Sequence, residues 1–510
     1  MFTTNKNKKE AYAVNSITQN LLENNEITEQ IERFVDRFIG CSLLRKCGIT
    51  KMTDYTVEEQ ALTYCDNPIL RIVGNPATSK IREKCVKAKD LLVDKLLLCF
   101  FVFSAYYMFT NDKFFRNYQK DTFYRFDLLP KANWERLQTE TARNVIRDVE
   151  ADTSQDHYRC LIFDDSLYKR TGGKGTELCS KVFDHNDRKT RHGFRMMTGG
   201  WTNGEIFIPF SQALLTTNNP AMMVGPDVPV DQRTLRGKRR ALAKETGLSV
   251  VKNMINKAKS EDIPYDYVLF DTWFSNPSMV VSLKRDGSDV IAMLKKGNAK
   301  FMCRQIIENK EEDISLNIAQ IYRCNKKRRG RSKYLLSIEV TVKDQDGNSI
   351  KAKLVYARNR NNRKDWVCFI CTDLDLDEEE VLKVYTLRWK IEVYFKICKS
   401  YLKLRTECHS TSFDAITSHM VIVAIRYMII ALERYRNADT RTVEDLFLHA
   451  QRDVMDEMMN RTIAFIIELL LESVRECFAL SDEQIDEMLQ VFVAKLPEDW
   501  RRKFEPAKTA

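Results

Sequence analysis

The middle of this 510-residue chain contains a defined order of strand-like and helix-like segments. Three short apolar runs separated by turn residues come first, in YRCLIFDDS, HGFRMMTGGW and EIFIPFSQALL. A helix-like segment, the strand-like YDYVLF, a second helix and the strand-like SDVIAMLKK follow. Consecutive strands predict an antiparallel meander, and strands that alternate with helices predict parallel pairing through crossover helices. The chain is therefore predicted to be an α/β protein.

This order matches the layout of a ribonuclease-H-like catalytic core. Three more strand-like runs, KYLLSIEVTVKD, SIKAKLVYARNR and DWVCFICTDL, precede a helical segment that begins near residue 376. We interpret them as a β-strand-rich insertion before the last helix of the core. The predicted regions are a helical N-terminal region (1–150), the first part of the core (151–299), the β-rich insertion (300–375), the last core helix (376–408) and a helical C-terminal region (409–510).

The charge of the chain favours a polyanionic partner. Lysine and arginine number 81 against 71 aspartate and glutamate residues, which gives a formal net charge of +10. Such an excess matters where the bases cluster, because clustered cations attract a phosphate backbone. We expect three clusters to contact the phosphates of such a partner, with a solvated charged face as the alternative: residues 323–333, residues 358–364, and the set Arg233, Arg236, Lys238, Arg239 and Arg240.

The cysteine pattern and the N-terminus predict a reduced compartment. Fourteen cysteines are scattered along the chain, and the first residues, MFTTNKNKKEAYAV, lack the apolar core of a secretory signal. The most apolar run, residues 96–109, is shorter than the roughly 20 residues that a membrane span needs. We interpret that run as a buried helix and expect a cytoplasmic protein.

Acidic residues follow two of the predicted core strands. Asp165 ends LIFDDS, and Asp271 follows YVLF. Neighbouring strands lie only about 5 Å apart, so carboxylates at their ends can converge on one point. Asp164 is an alternative to Asp165 that the strand pattern leaves open. The other interpretation is that each acid is only the polar residue at which its strand leaves the core and enters solvent.

The segment VYTLRWKIEVYFKICKSYLKL, residues 384–404, carries one acid among several bases. On a helix, Tyr385, Arg388, Glu392 and Lys399 share an arc of roughly 60°, beside an apolar side that can pack on a sheet. A solvated face with an Arg388–Glu392 ion pair is one interpretation, and it contributes only about 0.5 kcal/mol. A divalent metal bound by Glu392 and phosphates bound by the cations explain the crowding better.

The spacing of Tyr385, Arg388, Glu392 and Lys399, after two strand-end aspartates, resembles the signature of the insertion-sequence-four family of DDE transposases. The resemblance covers residues 158 to 405. It implies that Asp165, Asp271 and Glu392 are catalytic and bind two Mg²⁺ ions, for which Mn²⁺ can substitute. Asp165 is preferred to Asp164 because the first acid of the family tends to stand directly before a threonine or serine.

The same resemblance implies the DNA contacts. Tyr385, Arg388 and Lys399 are expected to hold a phosphate, and Trp366 is expected to stack on a base flipped out of the cleaved end. A core tryptophan in a strand is the alternative for Trp366. The double-stranded DNA substrate comprises transposon ends and target DNA, and the reaction is cut-and-paste transposition through a hairpin.

The assembly and location also follow from the resemblance. A homodimer would form the synaptic complex, residues 1–150 would bind the DNA ends, and the protein would associate with the bacterial nucleoid. Two other functions stay open. One is a catalytically silent DNA-binding protein derived from a transposase, and the other is a ribonuclease-H-like DNA nuclease without strand transfer.

Overall fold

The structure is a computed structural model. It describes residues 26–58, 80–101, 118–152, 157–184, 187–307, 310–325, 334–359, 365–478 and 480–498, together with residues 104, 109, 362 and 501. The predicted α/β class is confirmed, because one large mixed sheet and many helices are present.

The described residues up to Asp152 are mainly helical, and they also include a hairpin. The helices are α1 (Glu26–Phe34), which continues through a π-helical turn (Val35–Ile39) into α2 (Gly40–Lys46), then α3 (Ala88–Leu97), a 3-10 turn (Leu98–Phe100), α4 (Lys120–Phe126) and α5 (Trp134–Asp152). Strands β1 (Met52–Glu58) and β2 (Lys80–Val86) pair antiparallel. The apolar run 96–109 is buried from Leu96 to Phe100, and most of its remainder lies outside the described residues.

The central sheet forms as the apolar runs predict. Its elements are β3 (Cys160–Lys169), β4 (Ser180–Asp184), β5 (Lys189–Thr202), β6 (Phe207–Leu215), α6 (Leu235–Ala243), α7 (Gly247–Ser260), β7 (Tyr267–Phe270), α8 (Pro277–Arg285) and β8 (Asp289–Leu294). Strands β6, β5 and β3 form the antiparallel meander, and β7 and β8 continue it in parallel. The short β4, which pairs with β5, is additional to the prediction.

The crossover helices begin at side chains that satisfy their free backbone N–H groups. Thr234 accepts a hydrogen bond from Gly237 at the start of α6, and Thr246 accepts one from Ser249 at the start of α7. Asn276 caps α8 in the same way. Each cap stabilises its helix by about 1 kcal/mol and fixes where the chain turns back toward the sheet.

The insertion continues the same sheet. It comprises β9 (Lys300–Ile307), β10 (Lys310–Asn317), α9 (Ile318–Asn325), β11 (Tyr334–Lys343), β12 (Ser349–Arg358) and β13 (Trp366–Cys371). Strand β13 pairs antiparallel with β8, and β12, β11, β9 and β10 follow outward. The three predicted strands are β11, β12 and β13, and the β9–β10 hairpin was not predicted. Most of the basic stretches 323–333 and 358–364 lies outside the described residues.

Five helices complete the described part of the chain: α10 (Glu378–Thr386), α11 (Trp389–Ser400), α12 (Phe413–Arg436), α13 (Val443–Cys477) and α14 (Asp482–Lys495). Of the helices described, α12 alone is long and apolar enough to cross a membrane, and its whole apolar window is buried inside the protein. A buried core helix meets the same criterion, so this observation is weak evidence for a membrane span. Helix α12 packs against α5 and β6 behind the meander.

One of the predicted DNA-binding clusters is partly structural. Arg239 and Arg240 are buried, and both donate hydrogen bonds to the buried Asp414, at 2.5 and 2.9 Å. For these two arginines the prediction of phosphate contact is wrong, because burial and a carboxylate partner remove them from the surface. Arg233 and Lys238 are exposed, and for them the prediction stays untested.

Candidate active site

Asp164 and Asp271 lie where the parallel pairing of β3 with β7 ends; β7 itself ends there, whereas β3 continues to Lys169. Phe163 of β3 is paired with Phe270 of β7, and each phenylalanine directly precedes one of the two aspartates. Burial raises the pKa of Asp164 to about 7, the nearby Asp165 and Asp271 also raise it, and Arg388 opposes the change. This end of the β3–β7 pairing therefore brings acidic side chains together where burial opposes the ionisation of Asp164 and Arg388 favours it.

Asp165 lies on the opposite face of β3, because successive side chains of a strand point to opposite faces. Its carboxylate accepts two hydrogen bonds from the Arg195 guanidinium, at 2.7 and 2.9 Å. Asp164 instead accepts a hydrogen bond from Arg388, at 3.2 Å. Asp164, which the sequence left as the alternative to Asp165, therefore contacts the signature segment. Asp165 is bound by Arg195 instead.

The signature segment is not the single helix that its periodicity predicts. Helix α10 ends at Thr386 and α11 begins at Trp389. Between them the backbone makes tighter hydrogen bonds, from Lys390 N to Leu387 O and from Ile391 N to Arg388 O, at 3.1 and 3.2 Å. These bonds span three residues instead of four, so the turn is narrower and the two helices continue almost without interruption.

Two of the four signature side chains nevertheless contact β3 directly. Arg388 binds both Asp164 and Glu392, and Lys399 donates a hydrogen bond to Ser166, which is on the same face of β3 as Asp164. The i, i+4 ion pair between Arg388 and Glu392 is therefore present. Since Arg388 is nearly buried and also binds Asp164, the pair is not a solvated face.

Tyr385 has a buried hydroxyl group with no acceptor for its proton among the described residues. Its ring packs on Phe369 with the centroids 4.7 Å apart, and burial raises the pKa of the phenol. Asp164 and Asp271 are close enough to affect that pKa as well. Buried polar atoms without partners are rare in proteins, and an anionic oxygen of a ligand would satisfy this one.

Lys399 is the second of the two cations among the four signature residues. Burial, together with the nearby Arg405, lowers the pKa of Lys399 to about 8. At neutral pH the ammonium group is still mostly protonated. It therefore presents a positive charge beside Ser166, near the carboxylates.

Two family models match the chain. Residues 116–312 match the model described as DDE superfamily endonuclease, and residues 243–429 match the model described as transposase DDE domain. Both describe DDE enzymes. Each match covers less than half of the chain, and no curated protein matches it. The matches support a nuclease-type enzyme that acts on DNA, with a DDE domain built on a core of the ribonuclease-H type.

The two matched ranges contain the acids described above. Asp164 lies in the first range, Asp271 lies in both, and Glu392 lies in the second. Carboxylate oxygens are the ligands that Mg²⁺ prefers, so the donor types of the DDE domain fit a hard divalent cation.

The side chains of these acids are not grouped around a metal position in the structure. Among the described residues, no three His, Cys, Asp or Glu side chains are grouped closely enough to hold a metal ion. In the DDE domain the Asp164 and Glu392 carboxylates are bridged by the Arg388 guanidinium and not by a shared metal position. Arg388 thus supplies positive charge to both carboxylates.

Trp366, the predicted base-stacking residue, lies at the start of β13, two strands from β7. Its ring packs on Tyr322 and Tyr356, with centroids 5.0 and 5.3 Å apart, and the Lys296 ammonium lies 4.3 Å from its centroid. The structure thus places Trp366 in an aromatic cluster of the insertion. Its contact with a base stays a prediction.

Sequence reasoning missed three residues near the acids of the DDE domain. Arg195 binds Asp165, and Trp273 and Trp389 are large exposed aromatic side chains beside Asp271 and Arg388. A signal was present for the two tryptophans, because each lies within two residues of a candidate site residue. No signal in the sequence links Arg195 to Asp165, which is 30 residues away.

Proposed function

We propose that this chain is a DDE transposase of the insertion-sequence-four type. It binds the terminal inverted repeats of a mobile DNA element and catalyses metal-dependent cleavage and strand transfer, in cut-and-paste movement through a hairpin. The observation that carries the proposal is the bridge from Asp164 through Arg388 to Glu392, with Asp271 at the adjacent strand end. The bridge joins an acid of the central sheet to the signature segment.

Asp164, Asp271 and Glu392 are the proposed metal ligands, with Asp164 in place of Asp165. Bound divalent ions would activate the attacking oxygen and stabilise the leaving oxygen. Arg388 would exchange the carboxylates for a DNA phosphate, since a guanidinium binds either anion in the same bidentate manner. Tyr385 would donate its free hydroxyl proton to a phosphate oxygen, and Lys399 would neutralise phosphate charge.

The reaction uses two kinds of transfer at phosphorus, attack by water and attack by a 3′-hydroxyl group. Water attacks the phosphodiester at the element end, which breaks the bond to the 3′-oxygen and leaves a 3′-hydroxyl group. That hydroxyl attacks the opposite strand and displaces a 3′-oxygen, which closes the hairpin; water then reopens the hairpin, and the regenerated 3′-hydroxyl attacks target DNA and displaces a 3′-oxygen there. Two copies of the chain, one at each element end, would form the synaptic complex, with residues 1–150 binding the ends. The bacterial nucleoid is the proposed location.

Metal binding is expected to depend on pH. Because the pKa of Asp164 is about 7, a metal ion must displace a proton from it below that pH. The affinity for Mg²⁺ or Mn²⁺ should therefore fall about tenfold for each pH unit below about 7 and level off above it. Calorimetric titration at about pH 6 and about pH 8, in two buffers that differ in ionisation enthalpy, measures both the affinity and the protons released. Equal affinities at the two pH values would contradict the expected protonation of Asp164.

The proposed function is tested by a cleavage and joining assay. The purified protein is incubated with Mg²⁺ and with DNA that carries the element's own ends. A Glu392→Gln variant, whose side chain has the same shape but no charge, is assayed in parallel. Wild type should cut the ends and join them to target DNA, and the variant should bind the ends without cutting them. Cleavage without joined product would indicate a nuclease, and binding without metal-dependent cleavage would indicate a silent DNA-binding protein.

A further inference from the structure

Trp273, Arg195 and Asp165 form a connected group beside the proposed metal ligands. The Trp273 side chain is 62% exposed, and the Arg195 guanidinium carbon lies 5.3 Å from the centroid of its ring. Asp165, which is mostly buried, holds that guanidinium through two hydrogen bonds of 2.7 and 2.9 Å. The Trp273 indole therefore packs against the Arg195 guanidinium, and Asp165 fixes the position of that guanidinium.

This group lies on the side of β3 opposite the signature segment. Arg195 of β5 is paired with Leu167 of β3, and side chains two apart share a face, so Arg195 and Asp165 are on one face. Arg388 contacts Asp164 on the other face. Trp273 follows Asp271 by two residues. A DNA strand that crosses the acids would thus meet cations on one side and an exposed indole on the other.

An exposed tryptophan needs an explanation because its large apolar surface is normally buried. Trp366 packs against two tyrosines, whereas the contact that the structure shows for the Trp273 ring is with a guanidinium. The Arg195 contact also polarises and positions the ring. The bidentate bond to Asp165 lowers the freedom of Arg195, so little entropy is lost when a flat ligand stacks on the indole.

We propose that Trp273, supported by Arg195, is a stacking platform for an unpaired nucleobase of the DNA end that occupies the catalytic acids. Asp165 acts as a positioning residue, since it holds Arg195 and does not itself contact the base. Nucleobases are the fitting ligand class because every base offers a flat π face, and stacking on an aromatic side chain tolerates any sequence. This proposal rests on the proposed function, because it needs DNA at the acids.

The test compares two fluorescent DNA duplexes of the same sequence, one with a few unpaired terminal nucleotides and one fully paired. Full-length wild type should bind the unpaired end more tightly. Trp273→Ala should reduce this preference about 5- to 100-fold, the range expected for one stacked base. Trp273→Phe should retain most of the preference, because a smaller aromatic ring can still stack. A 2-aminopurine base at the unpaired end should lose its fluorescence on wild type and keep it on Trp273→Ala.

Asp165→Asn tests the positioning role. It should weaken the preference for the unpaired end in the wild-type background and have little further effect beside Trp273→Ala, because the two residues act through one platform. Independent, multiplicative losses from the two substitutions would overturn the positioning role of Asp165. Phe478→Ala is the matched control, since Phe478 is also 62% exposed but lies after α13, and it should keep the wild-type preference.

The outcomes separate this inference from the proposed function. If wild type binds and cuts DNA ends while Trp273→Ala keeps the full preference for unpaired ends, the platform is refuted and the transposase function stands. If wild type binds neither duplex, both proposals fail together. Should Trp273→Ala fold poorly, wild type is compared with Trp273→Phe instead. The measured quantity is the quenching of tryptophan fluorescence by the duplex with unpaired terminal nucleotides. Equal quenching in these two proteins would overturn the platform.

Discussion

Asp164→Asn is expected to lower metal-dependent DNA cleavage about a thousandfold or more, because the loss of one metal ligand removes several kcal/mol of transition-state stabilisation. The substitution keeps the size of the side chain and removes its charge. DNA binding in the absence of metal should stay unchanged or improve, since Arg388 is released from Asp164 and can bind a phosphate. Single-turnover cleavage of a labelled element end, with binding followed separately, measures both effects.

Asp165→Asn is the matched control for this result. Asp165 is the next residue, has the same chemistry and is also mostly buried, but it binds Arg195 on the other face of β3. Its substitution should reduce cleavage only as far as it weakens DNA binding. A thousandfold loss in Asp165→Asn with near-normal cleavage by Asp164→Asn would show that the residue before Ser166 is the ligand, as the family pattern predicts.

Arg426→Met is expected to lower the free energy of unfolding by about 3–5 kcal/mol, the cost of leaving one member of a buried ion pair alone. Arg426 is fully buried in α12 and donates two hydrogen bonds to Glu407, at 2.8 and 2.9 Å. Although burial opposes ionisation of Glu407, Arg426 lowers its pKa. Arg426 also donates a hydrogen bond to the carbonyl group of Leu96, at 3.2 Å.

Urea-induced unfolding of the two proteins measures this loss. Arg233→Met is the control, because Arg233 is exposed and solvent screens its ion pair with Asp231, so the free energy of unfolding should change little. In the native protein burial lowers the pKa of the neighbouring His419 to about 4, so near neutral pH Arg426 and not His419 supplies the positive charge beside Glu407. Equal unfolding midpoints for Arg426→Met and Arg233→Met would show that the buried pair does not hold α12 to the rest of the fold.

The order of the core strands was predictable because each is a solid apolar run bounded by turn residues. The meander, the parallel strands and the three later strands of the insertion all appear where the runs lie. The β9–β10 hairpin was missed because its residues, such as KEEDISLN, are too polar to give an apolar run. Burial of Arg239 and Arg240 was missed because it depends on Asp414, which is more than 170 residues away.

The sequence by itself determined which side chains are available for chemistry: two strand-end acids, and a tyrosine, an arginine, a glutamate and a lysine at helical spacing. Only the tertiary structure decided which aspartate of the pair faces them. Residues Cys160 to Phe163 are buried on both faces of β3, so they show no alternation of apolar and polar residues. Without that alternation the sequence cannot assign Asp164 or Asp165 to a face, and packing of α11 against one face makes the choice.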